Sequence, residues 1–259
     1  MLKNKTVLLT GANGGIGSET AISLSDAGAK LVLVGLDETL LQILNAELGG
    51  QHTVVEADIS SADDRMRIVN VCQQLEQGID IVINNAGIGQ FSLFQDLEQE
   101  HVAAIININL TSTILLTQVL LPELLTRPSA QIINIGSILG SIGFPGSSVY
   151  CASKFAIRGF SEALRRELND TNIAIRYFAP RATNTTINND NVIAMNNELG
   201  TKMDSADWVA AELVNFLNNT MAIKYLGWPE KLFVKINSVL PRIVERSINK
   251  QLSIIKRYL

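Results

Sequence analysis

The feature that most constrains this chain is a repeated alternation of short, almost unbroken apolar runs with longer stretches of helical periodicity. Residues 6–10, 30–34, 52–56, 80–84, 131–135 and 173–178 read as strands, with a last candidate at 221–225. Their apolar residues occupy both faces, as in strands buried on two sides of a parallel sheet. Helical patterns lie between them, near 16–28, 38–48, 61–77, 99–126 and 150–169. Strand–helix alternation with right-handed crossovers gives an α/β fold, a doubly wound parallel sheet flanked by helices. No fixed-period repeat and no Pro- or Ser-rich linker divides the chain. Residues 1–227 therefore read as one domain, and 228–259 as a C-terminal extension.

Composition narrows the function classes. Apolar residues make up 47% of the chain and charged ones 18%, enough for a core and incompatible with wholesale disorder. Uninterrupted apolar runs fall far short of the roughly 18 residues of a membrane span, and the first residues lack the apolar stretch of a signal peptide. Cys72 and Cys151 make no disulfide framework, and His52 and His101 lack the Cys partners of a zinc site, so no metal is expected. A formal net charge of −4 argues against nucleic acid as a partner. The expectation is a cytoplasmic protein that handles a small molecule.

Two patterns carry chemistry. The first strand runs into Thr10-Gly11-Ala12-Asn13-Gly14-Gly15-Ile16-Gly17 and then a helix. Glycines here let backbone approach a pyrophosphate at a helix N-terminus, where free N–H groups and the helix dipole favour anions. The spacing, G-x-x-x-G-x-G, differs from the commonest dinucleotide fingerprint, and a purely geometric Gly-rich turn has the same look. Tyr150 and Lys154 stand four apart on a helical pattern and so share a face. An ammonium near a phenol favours the phenolate and would lower its pKa toward useful proton exchange. Spacing alone does not separate this pair from an ordinary exposed one.

Taken in order, Thr10-Gly11-x-x-x-Gly15-x-Gly17, Asn84-Asn85-Ala86-Gly87, Ser137 and Tyr150-x-x-x-Lys154 resemble the short-chain dehydrogenase/reductase family over roughly residues 5–227. The resemblance implies a single Rossmann-type domain, built into homodimers or homotetramers through the helices near 99–126 and 150–169. It implies an NAD(P)-dependent oxidoreductase that interconverts a carbonyl and an alcohol by hydride transfer. Tyr150 would be the general acid/base, and Lys154 would hold the nicotinamide ribose and lower the tyrosine pKa. Ser137 would hydrogen-bond the substrate oxygen, and Asn109 would position a water in a proton relay. Taken alone, Ser137 reads as a strand-end cap and Asn109 as a helix-interior asparagine bonding its own backbone. The resemblance also implies cofactor contacts from Gly11, Asn13, Gly15, Ile16 and Gly17, from Asp58 and Ile59 at the adenine, from Asn85, Ala86 and Gly87 beside the ribose, and from Thr185 at the carboxamide. A dinucleotide-binding sensor or scaffold without turnover is the alternative on the same fold. Hydrolase chemistry through Ser137 is rejected, because its surroundings do not form G-x-S-x-G.

The chain departs from the family pattern in three places. Arg181 in Pro180-Arg181-Ala182-Thr183-Asn184-Thr185 replaces the usual glycine; it reads as a surface arginine, or as an attractor for an anionic substrate group. The second strand ends in Gly35-Leu36, without the acidic residue of NAD-preferring members and without a cation for the 2′-phosphate of NADP. Asp37 either caps the next helix or points inward and repels a phosphate, a slight lean to NAD. The third departure is the tail. Residues 221–259 hold eight Lys/Arg and two Glu. Pro229 opens one candidate helix, which Pro241 ends or kinks; beyond it Leu240, Ile243, Val244, Ile248, Leu252, Ile254 and Ile255 share half of a helical wheel. That apolar half packs on the body or a sister subunit, or it lies on an anionic membrane surface as a peripheral contact. Ile88, Ile138, Leu139, Phe144 and Pro145 suggest an apolar substrate pocket. The Asn-rich stretch 184–201 reads as a mobile excursion that covers it.

Overall fold

A computed structural model describes residues 2–259. Strands β1 (Thr6–Thr10), β2 (Lys30–Gly35), β3 (Thr53–Glu56), β4 (Ile81–Asn84), β5 (Ala130–Ile135), β6 (Ile173–Ala179) and β7 (Ile223–Tyr225) form one sheet in the order β3-β2-β1-β4-β5-β6-β7. Every pairing is parallel. Strand order reverses between β1 and β4, so the crevice of a doubly wound sheet opens there, past the carboxyl ends of the strands.

The helices cover both faces. They are α1 (Gly15–Asp26), α2 (Glu38–Glu47), α3 (Ala62–Gln74), α4 (Gln99–Ile106), α5 (Thr113–Leu125), α6 (Ser148–Glu167), α7 (Asp190–Glu198), α8 (Ala206–Leu217), α9 (Glu230–Val239) and α10 (Pro241–Ile255). On one face Leu24 of α1 and Leu213 and Phe216 of α8 pack on Leu9, Leu33 and Phe178. On the other, Ile68 of α3 and Leu116 and Leu120 of α5 pack on Val32, Val82 and Ile132. The sheet is thus buried on both sides, which is why its strands are apolar throughout.

Three sequence expectations change. Helix α8 was not anticipated between 201 and 221, although Val209, Ala210, Leu213, Phe216 and Leu217 make a continuous buried face. The Asn-rich stretch contains a helix: Asn189 caps α7 by accepting from Val192 N at 3.0 Å. The run Gln99–Leu125 is long and apolar enough to cross a membrane by length and composition. Its Leu116, Leu120 and Leu124 are fully buried in the protein's own core, however. A π-turn at Asn107–Ser112 joins α4 to α5 and carries Asn109; such turns recur at functional sites.

Candidate active site

A cleft of about 970 Å3 lies over the carboxyl ends of the strands. Its first wall is the glycine loop. Gly11 takes φ +62° and a Cβ there would press on the backbone of Ala86, while a Cβ on Gly17 would overlap Gly11 O. Both positions therefore need glycine for turn and close packing. The N-cap residue of α1, Gly14, brings no side chain to the helix end, so the first-turn N–H groups face the cleft as an anion cradle.

Thr10 and Asn85 hold this loop to the end of β4. Thr10 Oγ1 accepts from Asn85 N and Ala86 N, both at 3.0 Å. The Asn85 amide donates to Thr10 O at 3.0 Å and Gly11 O at 3.1 Å. Asn85 thus borders the cleft but spends its side chain on the loop. Asn13, Ala86, Gly87, Asp58 and Ile59 line the same end, with Gly35 and Leu36. A Cβ on Gly35 would meet Asn13 Oδ1, so a side chain there requires Asn13 to move aside. Asp37 is exposed and caps α2 through Leu40 N at 3.0 Å, which settles its two readings in favour of the cap.

Ser137, Tyr150 and Lys154 meet at the centre. Ser137 lies just past β5 and caps the turn Ile138–Gly140, its Oγ accepting from Leu139 N at 3.1 Å, so the capping expectation is met. Accepting leaves the hydroxyl hydrogen to donate, and Tyr150 is within its reach. The Tyr177 hydroxyl grips the same turn, donating to Ser137 O at 3.2 Å and accepting from Ser137 N at 3.3 Å. Tyr150 and Lys154 lie one turn apart on α6, with Nζ 5.7 Å from the phenol ring centre. Lys154 donates to Ile135 O at 3.0 Å. Burial brings its ammonium down to about 8, and three N–H donors leave two for a ligand.

One expectation is reversed. Burial pushes the Tyr150 phenol up to about 12, and the opposing hydrogen bond from Ser137 does not offset it. With the cleft as it stands, Lys154 does not produce the lowered phenol. Asn109 does not bond its own helix backbone, contrary to its reading from the residue alone. Its Oδ1 accepts from Ile88 N at 2.8 Å, and its amide donates to Ile88 O at 2.9 Å and Ser153 Oγ at 3.1 Å. Both N–H groups are spent on fixing the Gly87–Ile88 backbone and α6, so any relay water would meet only an oxygen.

The far walls come from the excursion and the tail. Thr185 touches Gly15, where a Cβ would strike its side chain. Ile88, Ile138, Leu139 and Phe144 line the cleft as expected, but Pro145 does not. Phe233, Val244 and Ile248 of the tail join them, a contribution the sequence reading missed. The apolar half of the tail therefore faces the body, and Val244 and Ile255 are buried. Within one chain the tail thus packs on the body, as one of its two readings had it. Leu240 and Ile243 are the exceptions, standing 55% and 50% exposed at the bend. Arg181 corrects both readings made of it. It is buried, with Nε and Nη2 each 2.8 Å from the Asp204 carboxylate and Nη1 2.9 Å from Glu230. Its charge is spent on protein carboxylates rather than on solvent or an anionic substrate.

The family model for short chain dehydrogenases matches residues 5–196. The chain belongs to the short-chain dehydrogenase/reductase family. This member is similar to nodulation protein G of a Rhizobium species, 36% identical over 179 residues, 69% of this chain and 73% of that protein. It is similar also to a 3-oxoacyl-[acyl-carrier-protein] reductase of Synechocystis, 33% identical over 183 residues, 69% of this chain and 74% of that protein. Among solved structures it resembles a short-chain dehydrogenase/reductase from Burkholderia phymatum in complex with NAD, with TM-score 0.83, 20% identity and coverage of 92% of this chain and 94% of that one. A Burkholderia cenocepacia short-chain dehydrogenase in complex with NADP has TM-score 0.83 and 19% identity over 96% and 98% of the two chains. At those identities the likeness is one of fold. The tail of this short-chain dehydrogenase/reductase lies beyond the residues the family model matches.

Proposed function

We propose that the protein is an NAD(P)-dependent oxidoreductase that interconverts a carbonyl and an alcohol on an apolar substrate. The observation that carries this reading is the meeting of the Ser137 and Tyr150 hydroxyls and the Lys154 ammonium in the cleft that the glycine loop opens into. The loop fits a dinucleotide: the uncapped first turn of α1 would hold its pyrophosphate, and the spare donors of Lys154 would hold a ribose. When bound, the nicotinamide supplies the hydride chemistry. Ser137 and Tyr150 place two hydroxyls on one side of the cleft, where they donate to the substrate oxygen as charge develops on it. Tyr150 then gives its proton to that oxygen, and takes one back in the reverse direction. Lys154 keeps positive charge behind Tyr150, and Asn109 holds the Ile88 backbone that borders the site. The Synechocystis relative, named as a 3-oxoacyl-[acyl-carrier-protein] reductase, is in keeping with carbonyl reduction. Screening aldehydes, ketones and alcohols against both nicotinamides, followed at the reduced-cofactor absorbance, tests the reading; no turnover with any pair overturns it.

Cofactor choice leans to NAD. The cations on the cleft wall are Lys154, Arg181 and Lys202, among the described residues, and none belongs to the end formed by Asn13, Gly35, Leu36 and Asp58. A 2′-phosphate there meets the Asp58 carboxylate and no counter-charge. Calorimetric titration is expected to give tighter binding of NAD, by up to about tenfold. Tighter NADP binding would mean that a Lys or Arg reaches the phosphate. We infer also that subunits pair through the α4–α5 and α6 surfaces, where Leu125 and Phe155 are exposed. A dimer or tetramer mass in sedimentation supports this, and a monomer overturns it.

A further inference from the structure

The tail packs against the turn that carries Ser137. Ile138 and Ile142 of that turn form a small core of their own with Val234 of α9 and Val244 of α10, flanked by Phe233 and Ile248. Contacts around the rim hold the hairpin in place. Glu230 pairs with Arg181 at the start of α9, and Asn237 Nδ2 donates to Ser141 O at 2.8 Å. At the other end Arg257 pairs with Glu198 of α7, and the Tyr258 hydroxyl donates to Glu198 at 2.7 Å. Leu259 and Phe91 close over Gly146, which takes φ +79° and has no room for a side chain. The hairpin is therefore a fixed wall, tied to the strand ends, to the Ser137 turn and to the excursion that bears α7.

What that wall presents decides what fits. Phe233, Val244 and Ile248 offer carbon to the cleft opposite Ile138 and Ile142, and Ser247 and Gln251 of α10 line it beside them. Of the cleft's cations, Arg181 is neutralised by Asp204 and Glu230, Lys154 belongs to the reacting centre, and Lys202 is exposed. A carboxylate seated against Phe233, Val244 and Ile248, away from Lys202, would be buried among carbon without a partner, which is costly.

Resting on the oxidoreductase reading, we propose that α9–α10 is the specificity wall and that it selects a carbonyl or alcohol carried on a neutral aliphatic chain. Phe233 and Ile248 are the residues that set chain length. The test uses methyl ketones from pentanone to tridecanone with the full-length protein. Two readouts are taken: kcat/KM with reduced nicotinamide, and calorimetric affinity for the dinucleotide-loaded protein. Both are expected to rise about fourfold per methylene, the worth of a buried CH2, until the cleft is full. Phe233→Ala and Ile248→Ala flatten the rise for the longer ketones, read as the slope of kcat/KM and of affinity against chain length, while dinucleotide affinity stays within about twofold. Ile248→Trp moves the plateau to a shorter chain. A ketone of equal length ending in carboxylate binds at least about tenfold more weakly. Equal slopes in parent and variants, or preference for the carboxylated chain, overturn the assignment. Affinity that rises with length in the absence of turnover would instead overturn the oxidoreductase reading and leave the wall standing.

Discussion

Tyr150→Phe is expected to lose about a hundred- to ten-thousandfold in turnover, the usual worth of a positioned general acid, while dinucleotide titration of the variant matches the parent. The substitution keeps the ring on α6 and removes only the transferable proton and its hydrogen bond with Ser137. Lys154→Ala behaves differently. It removes the ammonium that donates to Ile135 O beside the ring, so binding and turnover fall together. Steady-state kinetics paired with calorimetry on both variants separates the two roles. Turnover of Tyr150→Phe within about tenfold of the parent, only about 1.4 kcal/mol in barrier, would remove Tyr150 from the chemistry.

The second large effect is on stability. Arg181→Met leaves the Asp204 carboxylate, 5% exposed, without the guanidinium that satisfies both its oxygens. Breaking a buried pair in this way costs about 3–5 kcal/mol, far more than the net worth of the intact pair. For a chain of this size the melting temperature is expected to fall by roughly 6–20 °C. Adding Asp204→Leu removes the stranded charge and should recover part of the loss. An Arg181→Met variant that melts with the parent would show that the cluster carries no net stability. Glu230 is the more exposed of the two carboxylates, so Glu230→Gln should cost less.

Most of the sheet was legible because burial on both faces leaves an unmistakable run of apolar residues, as at 30–34 and 131–135. The centre was legible because its residues are local to recognisable patterns: the glycine loop follows β1, and Tyr150 and Lys154 share one helix turn. What escaped was non-local. Arg181 finds its carboxylates 23 and 49 residues downstream, and nothing near it in sequence announces an ion cluster. The tail's apolar stripe was visible, but a stripe does not say which surface it meets. Only the packing against Ile138 and Ile142 places it beside Ser137. Helix α8 is the opposite case, since its buried positions were periodic in the sequence and went unused. The direction of the Tyr150 phenol's shift was missed because a cation four residues away is readable from spacing, whereas the burial that raises the phenol is not.

The Arg181 cluster makes the hairpin hard to transplant. Fused onto a relative that keeps glycine at the corresponding position, α9 would bring Glu230 without its guanidinium. Gly227 belongs to the same corner, since a Cβ there would press on Arg181 Cδ. Position 181, position 204 and the Gly227–Glu230 corner therefore form one unit of exchange, although 49 residues of chain separate its ends. A chimera that respects that unit would carry a new pocket wall onto an old catalytic body, whereas one cut at the start of the tail would carry only a misfit.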